Sequence, residues 1–251
     1  MTRRLRAAIL LGLAALLAIP LQAQRFRRGG DFESRIMPNQ PYDGRFTFAR
    51  IRWEGLGGMT GEGPGWMHDY PWAEQNLMLI LRELTTLRPF MDGGNVLRLD
   101  DPELMKYPLA YMSEPGFWEP SAEEALGLRN YLLKGGMIVF DDFNGTWMWN
   151  NLEQQMRRVV PEGRWMEIPA THPVFDTFYT VEDVHEIGNP GVRYFGMWED
   201  NDPEKRLIAI ANYNNDLGEM WQWSGSGFFP IDLTNQAYKL GVNYVIYGMT
   251  R

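Results

Sequence analysis

Carboxylates and amides recur just beyond apolar runs in this chain, and that placement is where chemistry is first sought. Asp141 and Asp142 close the run Met137–Phe140, Glu114 follows Pro108–Met112, and Glu54 follows the alternating segment Arg45–Trp53. Asn214, Asn215 and Asp216 follow Leu207–Ala211. If these runs are parallel strands, their C-terminal ends share one sheet edge, and residues just past several strands converge there. Oxygen donors gathered in this way suit a hard cation such as calcium or magnesium, with Asp141, Asp142 and Asp216 as candidate ligands. A carboxylate pair would instead serve acid–base hydrolysis, with the spacing deciding the mechanism; Asp142, Glu114 and His172 are the candidates for that role. Adjacent aspartates in an extended chain point to opposite sides, so one of Asp141 and Asp142 is expected to face a pocket. The alternative for the pair is one helix cap and one solvated carboxylate.

His172 is one of three histidines, with His68 and His185. In its His-Pro context it either transfers protons near neutral pH or hydrogen-bonds the backbone of a turn. Neither His-x-x-x-His nor His-Glu-x-x-His occurs, so spacing supplies no zinc motif. Asn214-Asn215-Asp216-Leu217-Gly218 has the composition of a cation loop but not the EF-hand pattern, and an asparagine-rich turn is the alternative. Tryptophans crowd the same regions: Trp147 and Trp149, Trp221 and Trp223, Trp66 and Trp72. Beside carboxylates and amides they suit carbohydrate stacking or a protein contact, or else they cover the rim of the core. The ligand-binding candidates are therefore Glu54, Asp141, Asn214, Asn215, Asp216, Trp147 and Trp221. The chain has no cysteine, and Ser113 and Ser121 lack a Gly-x-Ser-x-Gly context, so nucleophilic catalysis has no candidate.

The positioning elements follow from periodicity. Arg45–Trp53 alternates with period two and reads as a strand near a sheet edge, its arginines turned away from the core. Gly55–Gly65 is read as a mobile loop at the edge of the site. Leu77, Ile80, Leu81, Leu84 and Leu87 define one buried helix face, ended by Arg88-Pro89. Val96–Leu99 and Pro108–Met112 are short strands. Ser121 and Glu124 form a capping box for the next helix, and Gly135 ends it. Met137–Phe140 reads as a central strand buried on both faces. A helix over Trp147–Val160, a strand over Trp165–Ile168, a strand pair Tyr194–Trp198 and Leu207–Ala211, a loop over Asn212–Gly227 and a last helix capped by Thr234 complete the chain. The alternation predicts an α/β fold with a mainly parallel sheet and one antiparallel extension.

Residues 1–23 read as a secretory signal: Arg3, Arg4 and Arg6 precede the apolar stretch Ala7–Ile19, and Ala23 offers a cleavage site. Residues 24–44 read as a flexible linker and 45–251 as one domain. The expected location is periplasmic or secreted, without lipidation and without a membrane span once the signal is removed. The net charge of −8 becomes more negative on loss of those arginines, which argues against nucleic acid as a partner.

Several segments resemble a bacterial family, domain of unknown function 4159: Asp69-Tyr70-Pro71, Leu99–Leu104, Tyr111–Gly116, Gly135–Phe143, His172–Phe175 and Asn214–Gly218. Together they span residues 46 to 250. The resemblance implies the flavodoxin-like three-layer sandwich of the class I glutamine amidotransferase-like superfamily, and no reaction. Amidotransferase chemistry needs a cysteine at the strand-to-helix elbow, where this chain has Asp141-Asp142-Phe143. The leading expectation is a noncatalytic exported module that binds a small polar or carbohydrate ligand, or an envelope protein, through the acidic edge. No cofactor is expected beyond calcium or magnesium. The alternatives are a hydrolase using the strand-end carboxylates, with glycans as one candidate substrate, and a structural subunit of an envelope complex.

Overall fold

The computed structural model describes residues 32–55, 59–60 and 63–251. The expected signal, the basic part of the linker and part of the glycine-dense loop lie outside the described residues. The chain divides into two units, residues 1–37 and 38–251. In the first, the described residues include a short 3-10 turn, Phe32–Arg35.

In the second unit the strands are β1 (Ala49–Ile51), β2 (Met59–Thr60), β3 (Gly63–Pro64), β4 (Asn95–Leu97), β5 (Leu109–Ser113), β6 (Met137–Phe143), β7 (Met166–Glu167), β8 (Arg193–Trp198) and β9 (Leu207–Tyr213). The helices are α1 (Trp72–Leu84), α2 (Ala122–Leu133), α3 (Gly145–Val159), α4 (Leu217–Gln222) and α5 (Ile231–Thr250). β2 and β3 form a small hairpin, and the other seven strands form one sheet in the order β4-β1-β5-β6-β9-β8-β7. The first five run parallel, and β8 and β7 extend the sheet antiparallel beyond β9. The fold is thus α/β with a mostly parallel sheet.

β6 is apolar through Phe140 because strands flank it on both sides and helices cover both faces. Tyr111, Val139 and Ile210 join α1 and α5 in one core, through Leu77, Leu81, Leu240 and Tyr244. The pleat sends Ile138 and Phe140 to the other face, where Phe140 packs on Trp118 and Trp165 with ring centroids 6.0 and 6.1 Å apart. α2 and α3 pack together over β6. The capping box of α2 forms as its sequence dictates, with Ser121 Oγ accepting from Glu124 N and Glu124 Oε2 accepting from Ser121 N.

Four local expectations change. β1 covers only Ala49–Ile51, and it lies inside the sheet. Arg50 is fully buried there, because Glu74 of α1 supplies a buried counter-charge. α1 ends at Thr85, and Leu84 is 52% exposed, since the buried stripe runs through Ala73, Glu74, Leu77, Met78 and Leu81. The segment after β9 contains a helix, α4, capped by Asp216. α5 begins after Pro230, so Thr234 sits within its first turn. Residues 38–44 run beside β4, where Asn39 donates to Val96 O and accepts from Val96 N, at 2.8 Å each.

Candidate metal centre

β6 and α3 meet in a sharp turn, and Asp142 sits in it with φ 59°, in the left-handed region. The pairing of β6 with β9 shifts register between Phe140 and Phe143, a bulge that turns Asp142 out of the ladder. Its carboxylate Oδ2 lies 2.7 Å from His68 Nδ1 and accepts from Ser113 Oγ at 3.1 Å. His68 and Asp69 follow the 3-10 turn Gly65–Met67 and precede α1. Asp69 is also left-handed, with φ 64°. Asp216 reaches the same place from the start of α4, where its Oδ1 accepts from Glu219 N at 2.8 Å. One ligand atom from each of His68, Asp69, Asp142 and Asp216 lies within 4.8 Å of every other. Opposite ligands on a single cation are about 4–5 Å apart, so the four fit around one ion.

Asp69 is the informative member. It is fully buried, and neither carboxylate oxygen accepts a hydrogen bond. Its nearest cationic neighbour is His68 Nδ1, 3.7 Å from Oδ2. A buried carboxylate without donors costs several kcal/mol unless it is neutralised or ligates an ion. Gly218 makes room beside it: a Cβ there would stand 2.5 Å from Asp69 Oδ2 and 2.7 Å from Tyr111 Oη.

The electrostatics favour a cation. Burial, then the neighbouring Asp142 charge, drives the Asp216 carboxyl well up. Burial also drives Asp69 up, against the pull of His68. His68 is pushed up to about 10, first by its hydrogen bond to Asp142, despite burial. Without a metal, the shifts run in one direction, toward protonation of His68, Asp69 and Asp216 alike.

Arg50 holds the His68–Asp69 segment from below. Its Nη1 donates to Trp66 O and His68 O at 3.0 Å each, and its Nε pairs with Glu74. The guanidinium lies over the rings of Tyr70 and Tyr111, 5.9 and 5.1 Å from the centroids. Burial is the strongest influence and pulls its pKa down, but the charge and hydrogen bond of Glu74, joined by the charges of Tyr111 and Asp69, together raise it above its ordinary value.

Asp141 has a different task. Oδ2 accepts from Tyr111 Oη at 2.7 Å, Leu217 N at 2.8 Å and Gly218 N at 3.1 Å, and Oδ1 accepts from Asn212 Nδ2 at 2.9 Å. Asn212 Oδ1 in turn accepts from Tyr244 Oη. Burial pushes the Asp141 carboxyl up, and donors on Asn212, Tyr111 and Gly218 oppose that shift. With its oxygens so engaged, Asp141 anchors α4 to the sheet and lies outside the group of four ligand atoms.

The match to known sequences runs through the same residues. The family model described as Domain of unknown function (DUF4159) matches residues 47–249. The chain belongs to this family. No curated protein matches the sequence.

In this DUF4159 chain the expected site residues separate into groups. Asp142 and Asp216 meet in the centre, and Glu114 borders it. His172 lies away from them, in the stretch between β7 and β8, against Trp198 at the end of the antiparallel β8. Its ring packs against Trp198 and Tyr247, and Nδ1 accepts from Val174 N at 3.2 Å, the turn arrangement. It lines a cavity of about 720 Å³ with Arg206 and Arg251, remote from the carboxylates. Glu54 is exposed and pairs with Arg98 at 3.2 Å. Asn215 is buried and donates to Tyr194 Oη, and Asn214 joins Gly145 N to Gly191 O. Trp221 is buried and donates to Ala237 O, so it belongs to the core, whereas Trp147 is 61% exposed. His68 and Asp69 were not among the expected site residues. A histidine–aspartate pair between a glycine-dense loop and a helix start was the available signal.

Proposed function

We propose that this chain is a divalent-cation-binding domain of an exported protein, with His68, Asp69, Asp142 and Asp216 as ligands. The observation that carries this reading is Asp69, a fully buried carboxylate without a single hydrogen-bond donor, turned toward three other potential ligands. An imidazole nitrogen in the set favours zinc or manganese over calcium or magnesium, which prefer all-oxygen shells. The ligands come from three separate segments of the chain, so no local zinc spacing is needed. Left-handed backbone at Asp69, Glu114, Asp142 and Asn214 supports a working site, since such residues cost about 1–3 kcal/mol each and cluster where function requires them.

Export rests on the basic and apolar pattern of residues 3–23. Among the described residues no helix is long and apolar enough to cross a membrane. The parallel strand order with helices on both faces supports a flavodoxin-like sandwich of the amidotransferase-like kind, without amidotransferase chemistry because cysteine is absent. Exposed Trp147, packed on Phe117 at 5.4 Å, supports a small polar or carbohydrate ligand near the centre.

The test is elemental analysis of the full chain after stripping with a chelator and dialysis against zinc or manganese. One ion per chain is expected for the native protein, and none for Asp69→Asn. A native protein that retains no ion would contradict the assignment.

A further inference from the structure

Glu114 stands beside the four ligands without being one of them. It follows β5 directly, and its backbone N donates to Asp141 O at 3.1 Å, which ties it to the strand that carries Asp142. Its own backbone is left-handed, with φ 49° and ψ 47°. Its Oε2 is buried and accepts no hydrogen bond. That oxygen lies against Gly65, where a Cβ would come within 2.2 Å of it. Gly65 begins the turn that delivers His68, so the Glu114 carboxyl is wedged between the two segments supplying His68 and Asp142. Burial, then the Asp142 charge, raises it to about 7, and His68 pulls the other way. A carboxyl with a free buried oxygen at the margin of a cation site is placed to exchange protons with water held there.

We infer that the centre is hydrolytic, that Glu114 is its proton-transfer residue, and that its substrates are uncharged acyl compounds, esters or amides. This inference rests on the cation-binding reading above. Three carboxylates around a divalent ion leave a net negative site, which repels a phosphodiester and tolerates a neutral carbonyl. The Phe117–Trp147 pair, which follows Glu114 and Asp142 in the chain, offers an apolar face for the substrate's body.

In the step itself, water held in the site would form a bond from its oxygen to the acyl carbon, and one of its protons would pass to the Glu114 carboxylate. The bond from the acyl carbon to the leaving oxygen or nitrogen then breaks, its electron pair staying on the leaving atom. Glu114 returns the proton to that atom. The products are a carboxylic acid and an alcohol or amine, and no oxidant or reductant takes part.

The experiment measures hydrolysis of p-nitrophenyl acetate, acetyl-p-nitroanilide and bis(p-nitrophenyl) phosphate by the full chain, stripped and reloaded with zinc or manganese. Metal-dependent turnover of an acyl substrate is expected, with the phosphodiester slower. Glu114→Gln should keep one ion per chain and lose about 10²- to 10⁴-fold in kcat, together with the pH-rate limb near 7. Glu114→Asp should recover part of the rate. Loaded native protein with no metal-dependent acyl hydrolysis would overturn the inference, as would an unchanged rate in Glu114→Gln or preference for the phosphodiester. Failure of the native protein to take up any ion is a separate result, which removes the cation-binding reading beneath it.

Discussion

Asp141 and Asp69 are both fully buried aspartates at the same sheet edge, yet one is saturated with donors and the other has none. Asp141 accepts four hydrogen bonds that join β5, β9 and α4. Among the described residues, His68 is the cation within ion-pair reach of Asp69. Burial alone therefore does not identify a working carboxylate. What distinguishes the two is whether the fold itself supplies the compensation: it does so for Asp141 and does not for Asp69.

The contrast breaks most visibly in stability. Asp141→Ala strands Tyr111 Oη, Asn212 Nδ2 and two backbone N–H groups of α4, each costing about 1–3 kcal/mol. A loss of about 4 kcal/mol or more is expected in urea unfolding. Asp69→Asn replaces a buried carboxyl that no donor compensates, so the metal-free protein should be at least as stable as the native one. If both variants lost stability equally, Asp69 would be a structural residue too.

Arg50 comes next. Arg50→Met leaves Glu74 buried without its partner and frees the carbonyls of Trp66 and His68. A loss of about 3–5 kcal/mol is expected, accompanied by weaker zinc or manganese binding. Measured metal affinity equal to that of the native protein would separate Arg50 from the centre.

The pH dependence of the metal-free protein sharpens the same point. Glu114 is raised from 4.5 to about 7, and Asp69 and Asp216 are raised well above 3.8. For these acids the folded state binds more protons than the unfolded state inside that window. The contribution of Glu114 is therefore lost as pH rises from 4.5 through about 7, and those of Asp69 and Asp216 are lost in the same direction, beginning above 3.8. His68, raised from 6.5 to about 10, contributes stability that is complete below 6.5 and lost as pH rises through 10. Melting temperature in chelator should thus fall with rising pH on account of this centre, and saturating zinc should flatten the fall. The same slope with and without zinc would detach these groups from the ion.

The smallest effect is expected for Gly218→Ala. A Cβ would stand 2.5 Å from Asp69 Oδ2 and 2.7 Å from Tyr111 Oη, closer than side chains pack, so the proposed ligand or its neighbour must move. Metal affinity should drop about 10- to 100-fold, while urea stability changes little. Calorimetric titration with zinc measures the first quantity and urea unfolding the second.

Much of the scaffold was legible because local rules and tertiary structure agree. The capping box at Ser121–Glu124, the buried run of β6 and the antiparallel pair β8–β9 all form where periodicity puts them. Arg50 was misread because alternation assigns charge to solvent, whereas a counter-charge from α1, 24 residues away, reverses that assignment. Of the candidate site, Asp142 and Asp216 were visible as strand-end acids. Asp141 and Asp142 differ only through a bulge and a left-handed turn, which composition does not encode. His172 reads as equivalent to them in sequence, but the chain after β7 packs it against Trp198 at the end of β8, away from the carboxylates. His68 and Asp69 precede a helix and do not follow a strand, so a search of strand ends passed over them.

The central claim is that Asp69 is uncompensated because it awaits a cation. Its most direct measurement is the melting temperature of native and Asp69→Asn protein, each with and without zinc or manganese at about 100 times the native dissociation constant. The native protein should gain about 2.7 kcal/mol of stability, read as a higher melting temperature, and Asp69→Asn should gain none. Equal gains in both proteins, or none in either, would contradict the claim.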